Sequence, residues 1–218
     1  MFRYVRKPGW YGRLCRSIQT PRTIALIEKH YLGMEDPRVL EIGPGNCLIA
    51  KRRPSWKYRA IGPSEEEQGI IRELGYDFIV GTVPESVHLV SHCIIAEHVI
   101  EHSKDTRAFA TWCYNSLCTE GLLVLRCPDV RYGGARVFYY RDPTHLSPTT
   151  MPMMCNLLED IGFDIIESTV TYLWFKGWLA SLLTLPFRLL PELGLSQSSY
   201  YTKASLAVPA CLIVARKK

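Results

Sequence analysis

The 218 residues, 47% hydrophobic and 22% charged, are enough for one sizeable core and too ordinary a mixture for a disordered, collagenous or coiled-coil chain. A formal charge of +5 is too mild to mark a nucleic-acid binder, and no basic aromatic platform accompanies it, so no nucleic-acid partner is expected. Eight cysteines at scattered positions, with no CxxC pair, read as reduced and mostly buried thiols rather than a disulfide framework.

The charge is uneven along the chain. Residues 1 to 30 hold Arg3, Arg6, Lys7, Arg13, Arg16, Arg22 and Lys29 against Glu28 alone, a net +6. Residues 1–20 are read as a basic arm, a solvated end or a contact for an anionic partner, on a single domain spanning 1–218. The start of the chain lacks the continuous apolar run of a secretory leader. The longest apolar stretch, Gly177 to Phe187, lies between Lys176 and Arg188 and is broken by Pro186, short of the ~20 residues that cross a bilayer. A cytoplasmic protein is expected.

In chain order, Thr20-Pro21 followed by Ile24, Ile27 and Tyr31 predicts a first helix over about 21 to 32, stopped by Gly33. Arg38 to Ile42 reads as a buried strand running into glycines, and Tyr58 to Ile61 as a second. Ser64 is expected to cap a helix reaching about Leu74, with Glu65, Glu66 and Glu67 at its positive end. Phe78 to Val80, Cys93 to Ala96 and Leu122 to Leu125 are further short apolar runs, the last two separated by the helical spacing of Phe109, Trp112, Cys113 and Leu117. A helix from about Thr150 to Ile161 ends at Gly162, and two late strands lie near Asp164 to Thr169 and Cys211 to Ala215. Strands this short and apolar, alternating with helices, predict an α/β chain with a doubly wound, mostly parallel sheet.

In such a sheet the ligand sits beyond the carboxyl ends of the strands, and the first loop is Gly43-Pro44-Gly45-Asn46. A dinucleotide fingerprint needs a third glycine where Leu48 stands, which weakens a hydride-transfer reading. Glu41, an acid inside an apolar strand, would be costly there without a cationic partner. Taken with AIGPSEE (60–66), IIAEHVIEH (94–102), GLLVLRCPD (121–129), YYRDPTH (139–145) and LLEDIGF (157–163), the run VLEIGPGN (39–46) resembles the class I S-adenosylmethionine-dependent methyltransferases over about Val39 to Glu167. It is most similar to the small-molecule type that carries an EHVIEH segment, which includes quinone and glycan modifiers.

That resemblance implies a seven-stranded, Rossmann-like sheet with a hydrophobic helical insertion before the last strand, and S-adenosylmethionine as cofactor. It places Gly43, Pro44, Gly45 and Asn46 at the methionine part of the cofactor and Glu41 near its ammonium group or ordering the loop. Gly62, Pro63, Ser64, Thr82 and Glu97 complete the expected cofactor-binding set. Two of these depart from the family's pattern. Gly62 stands where an acid normally accepts both ribose hydroxyls, and Thr82 replaces the acidic adenine contact. Losing a charge-assisted hydrogen bond costs about 1.5–3 kcal/mol, so cofactor binding roughly ten- to a hundredfold weaker is expected, unless Glu65 or Glu66 compensates. The alternative reading is a methyltransferase-like binding or scaffold protein.

His98-Val99-Ile100-Glu101-His102 also matches the HxxEH pattern of inverted zinc peptidases, but it directly follows a strand where a long helix is required. Some quinone methyltransferases hold magnesium through two Glu and one His of the corresponding segment. His98 occupies the first of those positions and magnesium prefers oxygen ligands, so no metal is expected. His98, His102 and His145, the last expected on a long loop after the fifth strand, are the candidate bases for an acceptor hydroxyl or amine, with Asp142 orienting His145. The bland reading of His102 is a loop-ordering residue. Tyr132 to Tyr140 supplies aromatic surface beside them for a ring-shaped or apolar acceptor. The segment 173–206, with Trp174, Trp178 and its leucines, fits a lid over the substrate mouth or an interfacial segment. In the second case residues 173–195 make peripheral membrane contact and the acceptor is lipid-linked, a glycan or quinone.

Overall fold

The computed structural model describes residues 10–30, 37–45, 47–63, 65–86, 89–171 and 210–218. The segment 173–206, the helix stop at Gly33, and the predicted contacts Asn46 and Ser64 lie outside them. Strands β1 (Arg38–Ile42), β2 (Lys57–Gly62), β3 (Asp77–Val80), β4 (Ser91–Glu97), β5 (Leu117–Pro128), β6 (Phe163–Thr171) and β7 (Ala210–Lys217) form one seven-stranded sheet in the order β3-β2-β1-β4-β5-β7-β6. The first five in that order run parallel, and β7 is antiparallel to both β5 and β6. The chain thus reverses its direction of travel across the sheet between β1 and β4, the point at which sheets of this kind bind ligands beyond the strands' carboxyl ends.

Six helices flank the sheet among the described residues: α1 (Trp10–His30), α2 (Leu48–Arg52), α3 (Glu65–Glu73), α4 (Thr106–Asn115), α5 (Gly133–Arg141) and α6 (Met151–Ile161). Strand alternation divides the core. Leu40, Ile42, Ile94 and Ala96 face the side packed by Phe109 of α4 and Leu158 of α6, whereas Val39, Cys93, Ile95 and Val124 face Ile24 and Ile27 of α1. Asp105 caps α4 by accepting the Ala108 N–H at 2.9 Å. Asp105→Ala is expected to lower the unfolding free energy by about 1 kcal/mol in urea titrations.

Two expectations are corrected. Pro21 does not open the first helix but lies inside it, because α1 begins at Trp10. A proline there forfeits one helical N–H, and burial of Thr20 before it and Thr23, Ile24 and Ile27 after it ties both sides to the sheet. The aromatic stretch at 132–140 is helical over α5, so His145 is reached through a helix rather than a long loop. Its glycines at 133 and 134 argue against helix by propensity, but both are buried, where small residues allow close packing. The described cysteines are free thiols, most of them buried, as expected. Among the described residues no helix is long and apolar enough to cross a membrane.

Candidate functional site

The predicted contacts gather at one edge of the sheet because each follows the carboxyl end of a parallel strand. Gly43, Pro44 and Gly45 follow β1, Gly62 ends β2 with Pro63 after it, Thr82 follows β3, and His98 follows β4. Gly43 and Gly45 both take left-handed backbone, φ 66° and 54°. The Gly43 N–H donates to the Ile61 carbonyl at 2.8 Å, which ties the loop to β2. A side chain added at Gly43 would force a shift, since its Cβ would lie 2.8 Å from Val99 Cγ2.

Glu41 and Glu97 have partners inside the protein. The Tyr58 hydroxyl donates to Glu41 Oε2 at 2.5 Å, and burial together with the Glu41 charge pushes the Tyr58 phenol well above its ordinary range. Glu97 projects to the α1 face, where the Thr23 hydroxyl donates to its Oε1 and Arg126 Nε donates at 3.2 Å. Burial works to raise the Glu97 carboxyl. The Arg126 guanidinium, the Thr23 hydroxyl and His98 outweigh it and hold the group below the usual carboxylate range. Arg126 and Thr23 are outside the sequence-derived set. The signal for Arg126 is a lone cation within the apolar run GLLVLRCP, the mirror of the argument made for Glu41.

At the second strand no carboxylate stands at Gly62, and the first helical acid, Glu65, is exposed. The Thr82 hydroxyl donates to Glu85 Oε2 at 2.8 Å, so its lone pairs remain to accept from an amine, and Glu85 adds an acceptor that the sequence reading did not name.

Beyond β4 the backbone of His98 is left-handed, φ 56°, and its N–H donates to the Arg126 carbonyl at 2.8 Å. This turn places the 3-10 turn Ile100–His102 beneath the loop that follows α5. His98 Nδ1 lies 3.3 Å from Glu101 Oε1, and Glu101 is fully buried. The His102 and His145 rings are 4.7 Å apart, and His145 stacks on Tyr139 at 5.0 Å. Asp142 does not orient His145 as expected. Its carboxylate closes a local turn by accepting the Thr144 N–H at 2.9 Å and hydroxyl at 2.6 Å, the short-range bond that Asp side chains favour. His145 Nδ1 instead meets the Tyr139 carbonyl at 2.8 Å. Burial works to raise Asp142, but the Thr144 bonds, with His145 and His102 nearby, hold it below its ordinary value. His102 orders the loop as well, its Nδ1 lying 3.2 Å from the Thr144 carbonyl and 3.0 Å from its hydroxyl.

A cleft of about 410 Å³ lies at the opposite edge, lined by Arg38, Lys57, Tyr76, Asp77 and Ser91 near the strands' amino ends. It is therefore remote from the glycine loop, and the chemistry-bearing residues do not line it.

No family model matches the sequence, and no curated protein matches it. Solved structures do. An S-adenosylmethionine-dependent methyltransferase from Archaeoglobus fulgidus is 14% identical with a TM-score of 0.61, over 95% of this chain and 100% of that one. The N-methyltransferase NodS from Bradyrhizobium japonicum, solved with S-adenosyl-L-homocysteine, is 12% identical with a TM-score of 0.61, over 92% of this chain and 87% of that one. The [4+2]-cyclase SpnF is 17% identical with a TM-score of 0.63, over 90% of this chain and 80% of that one. The chain has the Rossmann-like fold of the class I methyltransferases, as its motifs led one to expect.

Proposed function

We propose that the chain transfers a methyl group from S-adenosylmethionine to a hydroxyl of a small-molecule or lipid-linked acceptor of glycan or quinone type. The observation that carries this reading is the Gly43–Gly45 loop, two left-handed glycines at the switch between β1 and β4, with an imidazole pair set beyond the adjacent strand. Backbone without Cβ atoms lets a ligand approach main-chain N–H groups, and the fold's position for a cofactor is that switch.

The reaction asks little covalent help. The acceptor oxygen attacks the methyl carbon, the carbon–sulfur bond breaks with its pair going to the positive sulfur, and S-adenosylhomocysteine leaves as a neutral thioether. Alignment of the two reactants supplies most of the acceleration. The acceptor's proton goes to His102 or His145. Each faces a carbonyl through Nδ1, which must therefore carry the hydrogen, so Nε2 is the basic atom. Tyr139 and Phe138 border His145 and suit an aromatic or apolar acceptor. For residues 173–206 the proposal keeps both roles read from the sequence, a lid or an interfacial segment, with the basic arm meeting anionic headgroups in the second case.

Gly62 favours a second reading, a binding or scaffold protein, because the ribose carboxylate is missing. Calorimetric titration of cofactor-stripped protein with S-adenosylmethionine and S-adenosylhomocysteine decides between them. One saturable site for both supports the enzyme, and no binding at millimolar ligand by a folded sample leaves the scaffold. Gly62→Asp is expected to tighten S-adenosylhomocysteine binding by roughly ten- to a hundredfold. An unchanged affinity would overturn the placement of the ribose.

A further inference from the structure

Glu101, His102 and His145 each offer one ligand atom, and these atoms lie within 4.8 Å of one another. We infer that they form a binding site for one divalent ion of the borderline class, zinc or cobalt rather than magnesium. The cluster draws on two segments of chain held together by the backbone. Leu146 N–H and Ser147 N–H both donate to the Glu101 carbonyl, at 2.8 and 3.1 Å, and the Ser147 hydroxyl donates to the Ser103 carbonyl at 2.7 Å. The loop bearing His145 is thereby stapled to the turn bearing Glu101 and His102, and the three groups keep a fixed spacing without any ion.

A second observation points to a ligand. Glu101 is wholly buried, and while His98 Nδ1 serves its Oε1 at 3.3 Å, its Oε2 has no hydrogen-bond partner among the described residues. An anionic oxygen taken out of water and left unserved is costly, and a bound cation removes that cost. The histidines are prepared for the same role. With both Nδ1 atoms hydrogen-bonded to carbonyl oxygens, each ring keeps its lone pair on Nε2. The Thr144 hydroxyl beside His102 gives its own hydrogen to Asp142, and so accepts from the ring. An imidazole held through its other nitrogen by a carbonyl, hydroxyl or carboxylate is the usual support around a metal-ligating histidine.

The donor set selects the ion. Two imidazoles and one carboxylate suit zinc, cobalt or iron, whereas magnesium asks for oxygen ligands in a near-regular octahedron. Three protein ligands leave a position for an oxygen of water or of an acceptor. The ion takes the lone pairs that a free imidazole base would use. Should the methyl-transfer reading hold, the ion would acidify a bound acceptor hydroxyl, whose proton would then pass to solvent water rather than to His102 or His145. Binding of the ion itself does not depend on that reading.

The test titrates chelator-stripped full-length protein with Co²⁺, Zn²⁺ and Mg²⁺, following visible absorption for cobalt and calorimetry for all three. One Co²⁺ per chain with ligand-field bands is expected, Zn²⁺ competing and Mg²⁺ not. Glu101→Gln and His145→Ala should each weaken Zn²⁺ binding about tenfold or more, and His92→Ala, at the far edge of the sheet, should not. Circular dichroism establishes that each variant is folded, and His145, being only half-buried, keeps the test available if Glu101→Gln does not fold. Absence of Co²⁺ and Zn²⁺ binding, Mg²⁺ bound as tightly as Zn²⁺, or Zn²⁺ affinity unmoved in both variants would overturn the site. S-adenosylhomocysteine titrated into the same samples reports separately on the cofactor pocket, so either reading can fail while the other stands.

Discussion

Replacing Arg126 by Met is expected to lower the unfolding free energy at pH 7 by about 3–5 kcal/mol, the cost of leaving a buried charge without its partner. Arg126 is 1% exposed and Glu97 16%, both on the face covered by α1, and Arg126 also donates to the Thr23 hydroxyl at 3.3 Å. Methionine fills similar length but leaves the Glu97 carboxylate with Thr23 and His98 only. The loss carries a pH signature. In the native protein the Glu97 carboxyl lies below its unfolded value, so its stabilising contribution is present above the ordinary carboxylate pKa and disappears as pH falls through the lower folded one. Without Arg126, the largest influence lowering the folded pKa is gone and burial is opposed only by the Thr23 hydroxyl and His98, so the carboxyl moves up from its native value. The gap between native and variant should therefore be widest near neutrality, begin to close as pH falls through the variant's higher carboxyl pKa, and be gone below the depressed native one. Urea unfolding at several pH values measures it, and a loss independent of pH would remove the ion pair as its source.

A second large effect is expected at Gly43. Left-handed backbone costs a side-chain-bearing residue about 1–2 kcal/mol, and overpacking against a fixed neighbour about 1–3 kcal/mol. With φ 66° and Val99 Cγ2 at 2.8 Å from the added Cβ, Gly43→Ala incurs both, roughly 2–5 kcal/mol together. The two parts can be separated. Adding Val99→Ala removes the collision but not the backbone strain, so the double variant should recover part of the loss relative to Val99→Ala alone. If Gly43→Ala costs the same with or without Val99, close approach is not the reason for glycine. The S-adenosylhomocysteine affinity of both variants, taken from the same preparations, reports whether the loop shapes the cofactor pocket.

The sheet was legible because its central strands are largely buried and read as short apolar runs, CIIA and LLVL among them. A helix that violates its own propensity was not. Pro21 marks the middle of α1, and the glycine pair at 133 and 134 begins α5, in both cases because burial overrides local preference. Site residues that follow strand ends could be placed from order alone, which accounts for Gly43, Gly62, Thr82 and His98. Long-range pairings could not. That Thr23 would meet Glu97 across α1, or that Glu101 would share a cluster with His145, depends on how helices and loops dock. The role given to Asp142 failed for the same reason, since its nearest donors are those of Thr144.

The antiparallel position of β7 has a consequence for the order in which the molecule can be completed. Residues Ala210–Lys217 sit between β5 and β6, pairing with both. Until that segment has emerged from the ribosome, the inner edges of β5 and β6 have no strand between them. A nascent chain lacking it displays two apolar strand edges, the form most open to mispairing with other chains. The strand that follows β6 in the chain is thus the one that closes the sheet, and cellular yield of this protein should respond to chaperones that shield strand edges between the synthesis of β6 and that of β7.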